Sequence, residues 1–308
     1  MKSCFVSILL LVAIMGAVSC SKIAPDSGMY SVPGINELLQ LPDLPFHQSL
    51  AVYGDFALFQ ATSNNRLFSY IYYLPNLYLC SKTELKTVGN ILPHANVSCF
   101  GKKLYSKDSL FPLLYVSQWD WNGDRGVLVY DIKSDFSAEL VQFISPAHIN
   151  KSIIGAGDID WVVDFDSDIM YALAYKKAGA STIIEGNEEI ITAFPLPDIG
   201  RKTVMLEEKD IIDNYRCKVL SYSQDKVFKD GKIFIVAGGN DSAISFMNKI
   251  YVLDLARKQI REEYGITRYA IGISEPEGLG FWGDRLIMTY AKKPYQLWEC
   301  TLFGNDSY

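Results

Sequence analysis

His47, His94, Asp160, Gln224 and the pair Glu275/Glu277 recur at one place in a repeated pattern. Each lies about seven residues before a turn, at the head of an apolar run. The turn residues are Gly54, Gly101, Ser167, Gly231 and Gly283, and counting back seven gives 47, 94, 160, 224 and 276. Position 276 is Pro276, so Glu275 and Glu277 are the side chains that matter there. Two imidazoles with carboxylates from Asp160 and Glu275 or Glu277 are a ligand set for a divalent metal. Such an ion would polarise a carbonyl or phosphoryl oxygen and activate water. Asn96 lies two residues after His94, on the same face of a strand, where an amide would add a ligand or a substrate hydrogen bond. The competing readings are a small-ligand site without chemistry and a wet polar ring that is structural.

The elements that would bring these residues together are strands. FALFQ, LLYVSQW, GVLVYDI, IMYALAY, KIFIVAGG, NKIYVLDL and RLIMTYA are short, rich in β-branched and aromatic residues, and separated by Gly, Asp, Asn and Ser. Helical periodicity is confined to a turn or two near Ile35–Leu39 and, more weakly, Leu206–Asp213. A hairpin recurs in which an apolar strand reaches an aromatic, a tight turn and a second strand: LAVYGDFALF, VSCFGKKLY, WVVDFDSDIMYAL, KVFKDGKIFIVAG and GLGFWGDRLIMTY. The turns stand 47, 66, 64 and 52 residues apart, room for about four strands each, which is the spacing of β-propeller blades. The expected fold is therefore an all-β propeller of five blades, with space for a degenerate sixth in one of the longer intervals. In a propeller the head of each innermost strand meets the others at one mouth of the central channel, which makes the five positions a ring.

Residues 1–20, MKSCFVSILLLVAIMGAVSC, read as a signal peptide: one Lys, a short apolar run, then Ala-Val-Ser before Cys20. The end of this segment resembles the lipobox of bacterial lipoproteins, which implies acylation at Cys20. Ser21 rather than Asp in the next position then points to the outer membrane. The absence of an acidic run after the cysteine favours the periplasmic side over the cell surface. The expected division is a signal peptide over 1–19, a lipid-anchored tether over 20–44, rich in Ser, Pro and Gly, and one propeller over 45–308.

The segments HANVSCFGKKLYSKDSLFPLLYVSQ, LVQFI and EPEGLGFWGDRLIMTY resemble uncharacterised propeller-like lipoproteins of Bacteroidetes. More distantly, they are similar to teichoic-acid-associated and phage receptor-binding propellers. The resemblance implies the fold and carries no activity.

Remaining features bound the function further. With 29 Lys+Arg against 35 Asp+Glu, the net charge is -6, and no basic block is present, which argues against a nucleic-acid partner. A hydrophobic fraction of 49% with 21% charged residues excludes intrinsic disorder. Trp119 and Trp121 alternate on one strand face and would form an aromatic platform for a sugar ring. Cys80, Cys99, Cys217 and Cys300 lack metal spacing and read as buried thiols. Two functions follow as expectations. One is an envelope lipoprotein that binds a glycan, peptide or protein partner without chemistry, the membrane being reached through the lipid alone. The other is a metal-dependent hydrolase or lactonase-like enzyme using the His/Asp/Glu ring.

Overall fold

A computed structural model describes residues 34–41, 43–88, 94–118, 125–177, 188–217, 223–239, 248–266, 275–291 and 295–301. The signal peptide, Cys20, the first part of the tether, and Trp119 and Trp121 lie outside the described residues.

Strand β1 (Gly34–Gln40) comes first and is used last. The first blade is β2 (Ser49–Tyr53), β3 (Phe56–Ser63), β4 (Arg66–Tyr73) and β5 (Tyr78–Leu85). The second is β6 (Ser98–Phe100), β7 (Leu114–Ser117), β8 (Val127–Ile132) and β9 (Ala138–Ser145). A one-turn helix, α1 (Lys151–Ile154), leads into the third blade, where Asn150 caps it by accepting from the Ser152 N–H. That blade holds β10 (Ile159–Asp164), β11 (Ile169–Tyr175), β12 (Glu189–Pro195) and, after β13 (Thr203–Met205), β14 (Asp213–Cys217). β13 itself crosses over to pair in parallel with β9, giving the second blade a fifth strand. The fourth blade is β15 (Ser223–Lys229), β16 (Lys232–Ala237), β17 (Lys249–Asp254) and β18 (Gln259–Gly265). The fifth is β19 (Pro276–Trp282), β20 (Arg285–Tyr290) and β21 (Gln296–Thr301), completed by β1 on its outer edge. The protein is a five-bladed β-propeller.

The two long intervals between turns are thus filled without a sixth blade. One reason is that Gly101 is not at a tight turn: β6 ends at Phe100, and its partner β7 starts at Leu114. The other four hairpins close as the sequence predicts, with positive φ at Gly54, Asp168, Gly231 and Gly283, the backbone that tight turns between antiparallel strands require. The sequence reading that assigns residues 34–40 to the tether, with a helical turn inside them, is corrected here. Gly34 pairs with Thr301 and Gln40 with Gln296, antiparallel. The cause is non-local: β21 would otherwise be an unpaired edge. The weak helical pattern over 206–213 contracts to a single 3-10 turn at 208–210.

The core is divided as a ring demands. Five apolar clusters lie one at each interface between neighbouring blades. The largest buried side chain, Trp161, packs between the second and third blades and donates its indole N–H to the Arg125 carbonyl at 2.9 Å. Burying each such side chain contributes on the order of 1.5–3 kcal/mol. At the closing interface β19 approaches β2 closely through two glycines. A Cβ at Gly280 would sit 2.7 Å from Val52, and one at Gly278 would collide with the Thr289 hydroxyl.

Cys99, Cys217 and Cys300 are buried and Cys80 is half-buried, all as free thiols. Among the described residues no helix is long and apolar enough to cross a membrane.

Candidate functional site

The innermost strands β2, β6, β10, β15 and β19 surround the channel, and the candidate residues sit at or just before their heads. The structure brings most of them into two adjoining charged groups.

The first group is centred on Lys226, which is fully buried. Its ammonium donates to Asp160 Oδ2 at 2.5 Å and to the Gln224 carbonyl at 3.0 Å. Burial pushes the Asp160 carboxyl upward, and Lys226 and Asn96 oppose that shift. Burial raises Glu189, at the head of β12, to about 7; Lys226 opposes the shift and the Asp160 charge adds to it. Asp158, two residues before Asp160 and so on the same strand face, is raised to about 7 by burial and by Asp160. Arg125 opposes that rise; its Nη1 donates to the carbonyls of Gly155 at 2.9 Å and Gly157 at 2.5 Å. His94 is half-buried next to Asn96, and burial lowers its imidazole to about 4. It is a neutral ring at physiological pH.

The second group lies at the head of β19. Gln224 Nε2 donates to Glu275 Oε1 at 2.5 Å. Glu277 is buried, and desolvation, with Glu275 and Asp225 nearby, raises its carboxyl far above the usual range. Its Oε2, like Oε2 of Glu189, has no hydrogen-bond partner among the described residues.

Asp225, between the two groups, braces the ring. Its Oδ2 accepts the backbone N–H of Leu50 on β2 and of Leu279 on β19, both at 2.8 Å, and its Oδ1 accepts the Lys226 N–H at 2.8 Å. One carboxyl group thereby ties three inner strands across the channel.

His47 stands apart. It is fully buried between the first and fifth blades, with Phe59 and Tyr295 edge-on to its ring at 5.3 and 5.6 Å. Nδ1–H donates to the Pro45 carbonyl at 3.3 Å, so Nε2 accepts from the Thr289 hydroxyl at 2.6 Å. Both nitrogens are engaged, and burial lowers the ring to about 4. Among the described residues no group of three or more His, Cys, Asp or Glu is spaced to hold a metal ion. The arrangement instead offers buried acceptors, two carboxyls poised near neutrality, and one fixed ammonium.

The sequence reading missed Lys226, Asp225, Asp158 and Glu189. Lys226 and Asp158 were within reach of it: GDIDW and SQDKVF place a second polar residue two positions from Asp160 and Gln224, hence on the same face. Glu189 carries no local signal, since it belongs to a third strand and reaches the site only through the sheet.

No protein-family model matches the chain, and no curated protein is similar to it in sequence. Solved structures do share its fold. Glutaminyl cyclase of Myxococcus xanthus superposes with a TM-score of 0.51 at 11% identity, over 87% of this chain and 96% of that one. An engineered GH43 glycoside hydrolase with endo-xylanase and exo-arabinofuranosidase activity superposes with a TM-score of 0.50 at 11% identity. The match covers 89% of this chain and 53% of the hydrolase, so this chain spans about half of that protein. At these identities the likeness is one of fold.

Proposed function

We propose that this chain is an envelope lipoprotein, anchored through Cys20 to the outer membrane and facing the periplasm, whose propeller binds a partner at the acidic channel mouth without chemistry. The observation that carries the binding reading is the pair of buried carboxylate oxygens, Glu277 Oε2 and Glu189 Oε2, without partners among the described residues. A buried acceptor with no donor is costly, and a ligand ammonium or hydroxyl would supply one. The class of partner that fits best is a peptide or protein segment presenting an amine. Because burial holds Glu277 and Glu189 above their ordinary values, an incoming ammonium drives them to ionise, and binding releases protons. Calorimetry with tetralysine in buffers of differing ionisation enthalpy tests this. Binding with proton release, lost in Glu277→Gln, is expected; no binding, or binding unchanged in that variant, overturns it.

The anchor rests on the residues before Cys20. Cys20→Ala moves the protein from the membrane to the soluble fraction if the anchor is as proposed. Continued membrane partitioning would show another means of attachment.

A second reading has one observation in its favour. Asp158 and Glu189, both at about 7, are tuned as general acids or bases at neutral pH. Turnover of an ester, lactone or glycoside substrate that is abolished in both Asp158→Asn and Glu189→Gln would favour hydrolysis over binding.

A further inference from the structure

The opposite mouth of the channel holds a cavity of about 530 Å³, within the roughly 300–1,000 Å³ of small-ligand sites. The inner strands end there, and each blade contributes an aromatic residue one to three positions before Gly54, Gly101, Ser167, Gly231 or Gly283: Tyr53, Phe100, Phe165, Phe228 and Phe281. These are the aromatics that precede the turns in the repeated hairpin.

The five rings are not alike. Phe100 and Phe228 are buried, at 7% and 5% exposure, whereas Tyr53 and Phe165 are 47% and 37% exposed. Each open ring is braced by a buried one from the next blade. Tyr53 lies 5.6 Å from Phe100, and Phe165 meets Phe228 edge-on at 5.5 Å and 87°. The first and third blades thus present two aromatic surfaces whose orientation is fixed before anything binds. Aromatic side chains with few rotamers held in place lose little entropy on complex formation.

The rim sets the chemistry of the ligand. Lys102, Lys229, Asp166 and Asp230 line the same cavity. Lys229 is already engaged by Asp284 at 2.7 Å and by the Gly283 carbonyl at 3.0 Å, with its ammonium 4.7 Å from the Phe281 ring centre. The exposed groups are the Lys102 ammonium and the carboxylates of Asp166 and Asp230. An anionic ligand would face two carboxylates, and a purely apolar one would desolvate three charged groups without return. A ligand with apolar ring faces and hydroxylated edges meets both demands.

We propose that this aromatic mouth binds a neutral saccharide, stacked on Tyr53 and Phe165 and hydrogen-bonded at its edges by Lys102, Asp166 and Asp230. This site is distinct from the acidic mouth and does not depend on what that mouth does.

The test uses the full chain with maltose, cellobiose and N,N′-diacetylchitobiose as probes, read by saturation-transfer NMR and calorimetry. At least one probe is expected to bind with saturation transferred to its ring protons. Tyr53→Ala and Phe165→Ala should each weaken it roughly fivefold to tenfold, the loss of one aromatic contact, while Tyr53→Phe retains affinity and Glu277→Gln leaves it unchanged. Failure of all three probes, affinity unaltered in both alanine variants, or loss of affinity in Glu277→Gln overturns the proposal. So does displacement by benzoate or adenosine monophosphate in preference to a second saccharide, which would assign the mouth to an aromatic anion. Melting curves of the variants matching the parent exclude misfolding as the cause of any loss.

Discussion

The two ends of the channel are built from the same five strands and have opposite chemistry. At the heads of the strands, charge is carried inward: Lys226, Asp160, Glu189 and Glu277 are buried, and Lys226 and Asp160 form an ion pair. At the tails, apolar surface is carried outward: Tyr53 and Phe165 stay open while the charged groups lie on a solvated rim. Asp225, beside the charged mouth, bonds three of the five strands. Lys226, Asp160 and Asp225 are paired inside the fold, so the first mouth is coupled to folding. A ring left at the surface is held by its neighbouring rings, so the second mouth can change without disturbing the fold.

That contrast can be broken by measurement. The largest effect is expected at the brace. Asp225→Ala leaves three backbone N–H groups unpaired at about 1–3 kcal/mol each, so urea unfolding should show a loss of at least about 3 kcal/mol. A loss below about 1 kcal/mol would mean that the strands do not rely on this carboxyl. Next is Lys226→Met, which strands Asp160 without its counter-ion and should cost about 3–5 kcal/mol. The double variant Lys226→Met/Asp160→Leu should recover much of that, and no recovery would count against the pairing.

A smaller effect is tied to pH. Glu189 is raised to about 7 from an ordinary 4.5. Between those values the unfolded chain has given up the proton and the folded chain has kept it. Stability therefore falls as pH rises from 4.5 to 7, and the penalty is fully present above 7. Glu189→Gln lacks this penalty, so its stability relative to the parent should improve by about 1–3 kcal/mol from pH 4.5 to pH 8. An equal difference at both pH values would remove Glu189 from the titrating group. Smallest of all, Phe165→Ala at the open mouth should shift stability by no more than about 1 kcal/mol. A larger loss would make the two mouths alike and erase the comparison.

The blades were legible in the sequence because a hairpin is a local object. Period-two strands, a preceding aromatic and a turn residue lie within about a dozen positions, so four of the five copies are read correctly. The same repeat carried the register that puts Asp160, Gln224, Glu275 and Glu277 near the strand heads, as the structure places them. It failed where distance in sequence mattered. His47 has the right position but turns toward Thr289 on β20, some 240 residues on, and only the folded closure of the ring reveals that. β1 has the apolar spacing of a helical turn at Ile35, Leu38 and Leu39, yet pairing with β21 overrides it. Gly101 resembles the other turn residues and precedes a long connection instead, because nothing in VSCFGKKLY says where its partner strand begins.

The fifth blade has a mechanical consequence. Its last strand, β1, is the segment nearest the membrane anchor proposed at Cys20, and its ladder to β21 continues through the Leu41 N–H to Tyr295. Were the chain anchored at Cys20 as proposed, a load on it would reach the described residues at Gly34 and meet this clasp first. A cut ahead of Gly34 would leave this clasp covalently part of the ring. A cut just past Leu41 would leave β1 joined to the ring only by its ladder to β21. The position of a single cleavage thus decides whether the fifth blade keeps its outer strand by a covalent link or by hydrogen bonds alone.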